Sequence, residues 1–489
     1  MPVKSHFINN RWTEGNGTVL RSNNPASGEI IWQGRAATVE EIDQAVAAAT
    51  SAFHGWSGLS TEDRLTYLEA FHEKLSEGAE RLSELISLET GKPRWESQSE
   101  LQSMLAKIAI TVDAYNNRCG TIKETHSDIA SLTSYRPLGV VAVLGPFNMP
   151  GHLPNGHIVP AILAGNTIVF KPSSQTPLVA QFMIELWETS GIPGGVINLV
   201  QGGTITGKVL SEHPRLDGLF FTGSEATGRT LHRAFGGYPE KMLVLEMGGN
   251  NPLVVYKVAN HQAATYLTIV SSFITAGQRC SCARRLIVPN GLDGDNFVDC
   301  LVETARKIKV GQYTDFPEPF MGPVISAQSA DTLLAAQQKI LNLGGKCLIE
   351  THPLGQTEAM LSPGIIDVTS VENREDKELF GPLLQLVRVP DFDSALNEAN
   401  NTRFGLSAGL LCDDFDYYKE FRRKIKAGVI NWNRPTTGAN SRMPFGGTGA
   451  SGNHRPGAYF TIDHCVYPVA SMETGSAMIP DDVFPGLQS

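Results

Sequence analysis

A cysteine that directly follows a glycine-containing turn is the first candidate for chemistry. Cys280 ends the segment Gly-Gln-Arg-Cys. A thiolate is the strongest common side-chain nucleophile, but a thiol with an ordinary pKa of about 8.5 needs a base, a cation or backbone dipoles to ionise at neutral pH. A small buried residue is the alternative interpretation. Cys282 lies close by, but two thiols without nearby histidines are a poor zinc set, so we expect no metal.

A glutamate and an asparagine each follow an apolar run that is typical of a buried strand. Glu246 closes the run Leu243–Leu245 and is followed by two glycines. Burial there would raise its pKa toward the value that a general base needs. Asn148 follows the run Gly139–Leu144, and its amide can donate to a developing oxyanion. The alternatives are an exposed strand-end glutamate and a turn-forming asparagine.

Two further strand ends have the residue types of a nucleotide site. Lys171 follows the run Thr167–Phe170, where it can donate to ribose hydroxyls. Gly223, Ser224 and Gly228 mark the start of a helix after another strand, and a helix N-terminus suits a phosphate. The spacing is not the usual G-x-G-x-x-G fingerprint. A solvated lysine and a plain helix cap are the alternatives.

The elements that must position these residues alternate between strand and helix. The first section is predicted to be mainly helical, with a capping box at Thr38 and Glu41 and helices starting at Ser60 or Thr61 and near Arg81. Short apolar runs then alternate with helical segments such as Leu178–Thr189, which predicts a parallel sheet with both faces covered. The runs are Gly139–Leu144, Thr167–Phe170, Val196–Val200, Leu219–Thr222 and Leu243–Leu245.

A second alternating set follows residue 250 and predicts a second α/β domain. Its runs are Leu253–Val255, Leu286–Val288, Gly364–Val368 and Leu383–Val389. A hairpin around residues 120–136 and the C-terminal tail are expected to pack on another subunit. The length of 489 residues agrees with two or three domains.

Composition excludes several classes of function. The net charge is −10 and there is no basic stripe, so nucleic acid is not an expected partner. We find no run near 18 apolar residues and no apolar stretch at the N-terminus, so neither a membrane span nor a signal peptide is expected. Seven cysteines without paired spacing favour a reducing cytoplasm over a disulfide framework.

Taken together and in order, these segments resemble the aldehyde dehydrogenase superfamily over nearly the whole chain. The most specific pair is Leu-Glu-Met-Gly-Gly around Glu246 and Gly-Gln-Arg-Cys at Cys280, 34 residues apart. The other matching pieces are Gly-Pro-Phe-Asn-Met-Pro at 145–150, Phe-Lys-Pro-Ser at 170–173, Phe-Thr-Gly-Ser at 221–224, Glu-Leu-Phe-Gly-Pro at 378–382 and Pro-Phe-Gly-Gly at 444–447.

The resemblance implies a mechanism and a cofactor. Cys280 would attack the aldehyde, the Asn148 amide and the Cys280 backbone N–H would hold the oxyanion, and Glu246 would activate the water that hydrolyses a thioester. The cofactor would be NAD, with NADP left open, because Ser174 stands where an acidic residue often binds the ribose. The implied cofactor-binding residues are Lys171, Ser174, Gly223, Ser224, Gly228, Glu378 and Phe380.

The resemblance also implies a domain division. A Rossmann-type dinucleotide-binding domain would comprise residues 1–119 and 138–248, and a catalytic α/β domain residues 249–448. Residues 120–137 and 460–489 would form a β-arm and tail for assembly into a homodimer or homotetramer. Two other departures from the family pattern are Phe147, where a tryptophan is usual, and the segment that starts at Thr448.

Three segments, at 151–157, 278–285 and 451–456, resemble one subgroup that acts in bacterial arginine degradation on a succinylated semialdehyde. Such a substrate carries two carboxylates and an amide, and arginine pairs well with carboxylates. The candidate anchors for this small anionic aldehyde are Arg279, Arg442, Arg455, His152 and His157, with surface or structural pairing as the alternative. Another aldehyde, a CoA-acylating reaction and a non-catalytic protein on the same fold remain alternative functions.

Overall fold

The computed structural model describes residues 4–126, 129–355, 357–477, 479 and 483–487. The predicted arm and tail therefore include residues outside the described part, at 127–128, 478, 480–482 and 488–489. The helices are α1 (Val39–Ser57), α2 (Thr61–Glu77), α3 (Ala79–Thr90), α4 (Arg94–Arg118), α5 (His152–Ala164), α6 (Pro177–Thr189), α7 (Thr204–Ser211), α8 (Glu225–Phe235), α9 (His261–Phe273), α10 (Leu292–Ala305), α11 (Ala327–Asn342), α12 (Phe392–Asn400) and α13 (Phe415–Lys424).

The strands are short and most belong to two large sheets. They are β1 (His6–Ile8), β2 (Arg11–Thr13), β3 (Val19–Asn23), β4 (Ile30–Arg35), β5 (Ile122–His126), β6 (Ile129–Pro137), β7 (Val140–Leu144), β8 (Thr167–Lys171), β9 (Ile197–Leu199), β10 (Gly218–Gly223), β11 (Met242–Met247), β12 (Asn251–Val255), β13 (Ala283–Pro289), β14 (Lys346–Ile349), β15 (Gly364–Asp367), β16 (Leu383–Val389), β17 (Phe404–Gly405), β18 (Ser407–Leu411), β19 (Val429–Trp432), β20 (Pro444–Phe445), β21 (Thr448–Gly449), β22 (Gly457–Ala458) and β23 (Val466–Glu473).

The first large sheet has the strand order β11-β10-β7-β8-β9-β1-β2. Its five strands from β7 to β11 pair in parallel, as their continuous apolar runs predict. Two buried clusters cover its two faces, one built mainly from α2, α3, α5 and α6 and the other from α1 and α8. The carboxyl ends of β7, β8, β10 and β11 therefore meet along one edge.

The second large sheet has the order β14-β15-β16-β13-β12-β18-β19, and all its pairings are parallel except that of β14. A third sheet joins β5, β6 and β23 in antiparallel pairs. The predicted α/β fold with a β-arm is confirmed. The domain division stays a prediction, because strand order alone does not assign a ligand to each sheet.

The helix starts predicted from capping signals are confirmed. Thr38 and Glu41 form the expected capping box on α1, and Ser60 caps α2. The prediction of a mainly helical first section is wrong for residues 6–35, which form β1 to β4. These strands are at most six residues long, and β1 and β2 lie at the edge of their sheet, so their apolar alternation is too short to detect.

No helix in the described part of the chain is both long and apolar enough to cross a bilayer. Within the same residues, no cluster of three or more histidine, cysteine or acidic side chains is arranged to hold a metal ion.

Candidate active site

Cys280 lies at the end of a tight turn between α9 and β13. The backbone before it passes through the left-handed region at Thr275 (φ 55°), Ala276 (φ 52°) and Gly277 (φ 69°). Side chains other than glycine rarely adopt this conformation, so the surrounding structure must hold the turn in place. A Cβ at Gly277 would clash with the carbonyl of Gly381, which explains the glycine.

A buried glutamate on α4 fixes this strained turn. Glu96 accepts hydrogen bonds from the Thr275 backbone N–H (3.1 Å) and the Thr275 hydroxyl. Its Oε2 also accepts from the Arg279 guanidinium (3.2 Å). A buried charge that is paired and fully hydrogen-bonded rigidifies its surroundings. The sequence analysis missed Glu96, because its contacts with residues 275 and 279 span about 180 residues of chain.

Polar side chains from neighbouring strands hold the backbone around the thiol. The Asn251 amide at the start of β12 donates to the carbonyls of Cys280 (2.7 Å) and Cys282 (2.9 Å). Arg284 donates to the carbonyls of Gly277 and, at 2.9 Å, of Arg279. The backbone N–H of Cys280 thus belongs to a loop that is fixed on both sides.

Glu246 lies beside Thr222 at the carboxyl ends of β11 and β10 and is 7% exposed. Its Oε1 has no hydrogen-bond partner among the described residues. Burial raises the pKa of Glu246 to about 7, although the adjacent Cys280 thiol and Thr222 hydroxyl oppose the rise. A carboxyl group with that pKa is close to half ionised at neutral pH, as a general base requires.

The thiol of Cys280 is protonated in this environment. Burial raises its pKa well above the ordinary value, and the nearby carboxylates of Glu246 and Glu378 raise it further. Arg279 does not serve as a cation for the thiol, because its guanidinium is turned to Glu96 and to the Thr275 hydroxyl (2.8 Å). Ionisation of the thiol therefore depends on transfer of its proton, and Glu246 is the adjacent acceptor.

Asn148 lies in the loop between β7 and α5. Its side-chain amide donates to the Gln278 carbonyl (2.9 Å), which leaves one N–H of the amide group for a ligand. Its own backbone carbonyl accepts from the Lys92 ammonium (2.7 Å), and Lys92 is paired with Glu100 (2.7 Å) inside the protein. Lys92 and Glu100 were not found from the sequence, because both precede the strand-end motifs.

A cavity of about 610 Å³ runs along the carboxyl ends of β7, β8, β10 and β11. Six of the seven predicted cofactor residues line it together with the three predicted catalytic residues. The lining includes Lys171, Ser174, Gly223, Ser224, Glu378 and Phe380, with Cys280, Glu246 and Asn148. We call it the cofactor cleft.

Gly228 is the exception, because it does not line the cofactor cleft, and its role in cofactor binding stays a prediction. It lies one turn inside α8, and a Cβ there would clash with the Met247 side chain. The glycine permits close packing of α8 on β11. Ser224 does cap α8 as expected, since its hydroxyl accepts from the Thr227 backbone N–H.

The groups of the cleft fit a dinucleotide. The Lys171 ammonium donates to the carbonyls of Pro172 and, at 2.9 Å, of Gly202, and burial lowers its pKa to about 8. Glu378 accepts from the Gly249 N–H (3.3 Å), and a Cβ at Gly248 would clash with its carboxylate. Phe380 packs edge-on against Phe147 at 5.8 Å between ring centroids. Donors for hydroxyls, an acceptor carboxylate and an aromatic wall are therefore in one cleft.

A second cavity of about 310 Å³ meets the first at the thiol. Both are lined by Asn148, Leu153, Thr222, Glu246 and Cys280. Helices α4 and α5, the loop that carries Arg279 and the segment 437–461 form the other walls. We call it the substrate cavity. A group bound in either cavity has access to the same sulfur.

The structure separates the five predicted anchors for anions. His152 and His157 both line the substrate cavity. Burial lowers the pKa of His152 to about 4 and that of His157 to about 3, so both rings are neutral and would anchor a ligand through hydrogen bonds. Arg279 lines the cavity but is already paired with Glu96. Arg455 lines it, whereas Arg442 lies outside and pairs with Asp113 at 3.3 Å.

Comparison with known proteins agrees with this arrangement. The family model described as "Aldehyde dehydrogenase family" matches residues 12–468. The chain is 49% identical over 482 residues to N-succinylglutamate 5-semialdehyde dehydrogenase of Paraburkholderia xenovorans (strain LB400), and the match covers 99% of each protein.

Two solved structures extend the comparison. The NADP-dependent glyceraldehyde-3-phosphate dehydrogenase of Bacillus halodurans C-125, complexed with NADP, has a TM-score of 0.91 at 28% identity, covering 97% of this chain and 100% of that one. The betaine aldehyde dehydrogenase of Staphylococcus aureus in complex with NAD+ has a TM-score of 0.90 at 25% identity, covering 98% and 97%. Because the family model matches residues 12–468 of its 489 residues, the chain belongs to the aldehyde dehydrogenase family.

Proposed function

We propose that this aldehyde dehydrogenase oxidises N-succinylglutamate 5-semialdehyde to N-succinylglutamate through a thioester on Cys280. The observation that carries the chemistry is the position of Cys280, where the cofactor cleft and the substrate cavity meet beside Glu246 and Asn148. The relative at 49% identity, whose name states this substrate, supports the choice of aldehyde.

The proposed first half of the reaction forms a covalent adduct. The Cys280 thiol transfers its proton to Glu246 and its sulfur bonds to the aldehyde carbon, which gives a thiohemiacetal. The free N–H of the Asn148 amide and the Cys280 backbone N–H donate to the resulting oxyanion. The cofactor cleft would hold a nicotinamide dinucleotide, whose chemistry is to accept the hydride that leaves the aldehyde carbon, so that a thioester remains on Cys280.

The proposed second half releases the acid. The proton that Glu246 took from the thiol first leaves to solvent, which a pKa of about 7 permits at neutral pH. The ionised Glu246 then takes a proton from a water molecule, and the resulting hydroxide attacks the thioester carbon. The carbon–sulfur bond breaks and Cys280 regains its proton. Glu246 thus takes part both in the formation and in the hydrolysis of the thioester, because it lies next to the thiol.

The cofactor in this proposal is NAD or NADP. Lys171 would donate to the adenosine ribose, Gly223 and Ser224 would lie against the diphosphate, and Glu378 and Phe380 would position the nicotinamide riboside. Ser174 carries no charge to repel a 2′-phosphate, so both dinucleotides are compatible with the cleft.

The remaining proposals concern the domains of the chain, its assembly into oligomers and its location in the cell. We propose a dinucleotide-binding domain of residues 1–119 and 138–248, a catalytic domain of residues 249–448, and an arm and tail that join subunits into a homodimer or homotetramer. The three-stranded sheet of β5, β6 and β23, which leaves β5 largely exposed, supports the last point. The seven cysteines are unpaired, which supports a cytoplasmic location.

Initial rates of NADH or NADPH formation on a panel of aldehydes test the substrate. The panel contains N-succinylglutamate 5-semialdehyde, glutamate 5-semialdehyde and betaine aldehyde. We expect the highest kcat/KM with the succinylated compound. A clear preference for an unsuccinylated aldehyde would overturn the substrate proposal. Product analysis with and without CoA tests the hydrolytic step, and an acyl-CoA product would contradict the role of Glu246.

A further inference from the structure

One face of α4 lines the substrate cavity. Ser99, Ser103 and Lys107 are spaced four residues apart, so their side chains lie on the same side of the helix. Lys107 is the one charged residue of the three and is 2% exposed. It lies about three turns, or about 16 Å along the axis, beyond Glu96, which supports the catalytic turn. Lys107 therefore has no part in holding that turn.

Lys107 lacks the carboxylate partner that two comparable cations of this region have. Lys92 pairs with Glu100 at 2.7 Å, and Arg279 pairs with Glu96 at 3.2 Å. The Lys107 ammonium instead donates to the backbone carbonyl of Ala458 (2.8 Å) and forms no ion pair with a described residue. A buried charge without a counter-ion is costly, and an anionic ligand would remove that cost.

The groups nearest to Lys107 are neutral apart from Arg455, and among the described residues that line the same cavity the one carboxylate is Glu246. Burial lowers the pKa of three neighbouring histidines, so these rings are neutral at neutral pH, and each has a buried ring nitrogen without a hydrogen-bond partner among the described residues. Burial also keeps the nearby Cys465 thiol protonated by raising its pKa. The titratable and charged groups nearest to Lys107 are His152 and His157 of α5, and Arg455, His464 and Cys465 of the C-terminal segment. Arg279, Cys280 and Glu246 also line the cavity.

We propose that Lys107 binds a carboxylate of the substrate and so selects carboxylated aldehydes over neutral ones. The proposal deepens the proposed function and rests on the second cavity being the substrate site. An ammonium group with free donors and no counter-ion recognises a carboxylate as a compact charge. Arg455 lines the same cavity and adds a second positive charge to it.

Substitution of Lys107 together with a charge-matched set of aldehydes tests the proposal. Lys107→Met keeps the length of the side chain, and Lys107→Arg keeps the charge. The substrates are N-succinylglutamate 5-semialdehyde, its N-butyryl analogue without the succinyl carboxylate, N-succinyl-4-aminobutanal without the α-carboxylate, and N-butyryl-4-aminobutanal with neither. The two singly charged analogues show which carboxylate Lys107 contacts.

In Lys107→Met we expect the KM of the doubly charged aldehyde to rise roughly 30-fold, which corresponds to the loss of one charge-assisted hydrogen bond. The neutral analogue and one of the two singly charged analogues should change by no more than about threefold, and Lys107→Arg should restore most of the affinity for the doubly charged aldehyde. A KM that rises equally for all four compounds would overturn the proposal, because a purely structural role at Ala458 affects every substrate alike.

Calorimetry separates this inference from the proposed function. N-succinylglutamate, the product, is titrated into wild type and both variants in the presence of the dinucleotide. Weaker binding to Lys107→Met but not to Lys107→Arg supports the inference, and equal binding to all three overturns it. Failure of the proposed function has a different signature, namely a wild-type enzyme that prefers an unsuccinylated aldehyde whatever residue occupies position 107.

Discussion

The two cavities that meet at Cys280 are built in different ways. The cofactor cleft follows the carboxyl ends of parallel strands. In it Lys171 donates to two backbone carbonyls, and Glu378 accepts from Gly249 and pairs with Arg284 at 3.5 Å. The substrate cavity is walled by helix faces and a segment from the end of the chain. Among the residues that the structure describes, the Lys107 ammonium in this cavity has a backbone carbonyl but no carboxylate as partner, and histidine nitrogens such as Nδ1 of His152 have no hydrogen-bond partner.

The difference indicates which part of the site is general and which part is selective. A cleft made of strand ends and backbone groups can bind the same dinucleotide whatever aldehyde is oxidised. Selectivity requires polar groups that are left unpaired unless the correct ligand arrives, since rejecting an analogue depends on that penalty. We therefore expect substitutions in the cleft to change cofactor use, and substitutions in the cavity to change the choice of aldehyde.

The largest effect is expected at the sulfur that both cavities share. Cys280→Ala removes the nucleophile, and we expect kcat to fall by at least about 10⁴-fold. Binding of NADH, measured by its fluorescence, should be retained, because the cleft is otherwise unchanged. Residual turnover within tenfold of wild type would show that the sulfur is not the reacting atom.

The next effect separates the two halves of the reaction. Glu246→Gln keeps the shape of the side chain but removes the base. The thiol can also lose its proton to solvent, whereas the hydrolytic water must be activated in place, so deacylation should slow by roughly 10² to 10⁴-fold and more than thioester formation. Intact-protein mass spectrometry after mixing with aldehyde and dinucleotide should detect an acyl adduct on Cys280. Absence of an adduct together with slow turnover would place the role of Glu246 before the thioester.

The pH dependence of wild type offers a second measurement of Glu246. Its pKa of about 7 is raised by burial, so the group is an ionised base above pH 7 and a neutral acid below it. We expect kcat to fall as the pH decreases through about 7 where hydrolysis limits the rate. Glu246→Gln should lack this limb. A wild-type profile that is flat from pH 6 to 8 would contradict the assignment.

The contrast between the cavities also explains how much the sequence could predict. Glu246 and Lys171 lie at the carboxyl ends of buried strands and Asn148 lies shortly after one, and strand ends are local signals that apolar runs reveal. Glu96 and Lys107 lie within a helix, and nothing in their neighbours indicates that they meet residues 275 and 458. The neutral state of His152 could not be predicted for the same reason, because it depends on burial by distant elements.

A smaller effect, on the KM for the dinucleotide, is expected from substitution of Lys171 in the cofactor cleft. Lys171→Met should raise the KM for the dinucleotide by roughly tenfold, because a hydrogen bond to a ribose hydroxyl is lost. The order of preference among aldehydes should stay as in wild type, whereas Lys107→Met changes that order. Equal changes in aldehyde selectivity for the two variants would break the distinction between a general cleft and a selective cavity.

The smallest effect is expected at an arginine that the sequence placed among the anchors. Arg442 lies outside the substrate cavity, and its side chain is 57% exposed while it pairs with Asp113. Exposed ion pairs contribute little, so Arg442→Ala should change the KM of every aldehyde by less than about threefold. Arg455→Ala is the matched comparison, because Arg455 does line the cavity and its loss should raise the KM of the doubly charged aldehyde more than that of a neutral one. A charge-dependent loss with Arg442→Ala would mean that the selective cavity extends to the surface near Asp113 when the substrate is bound.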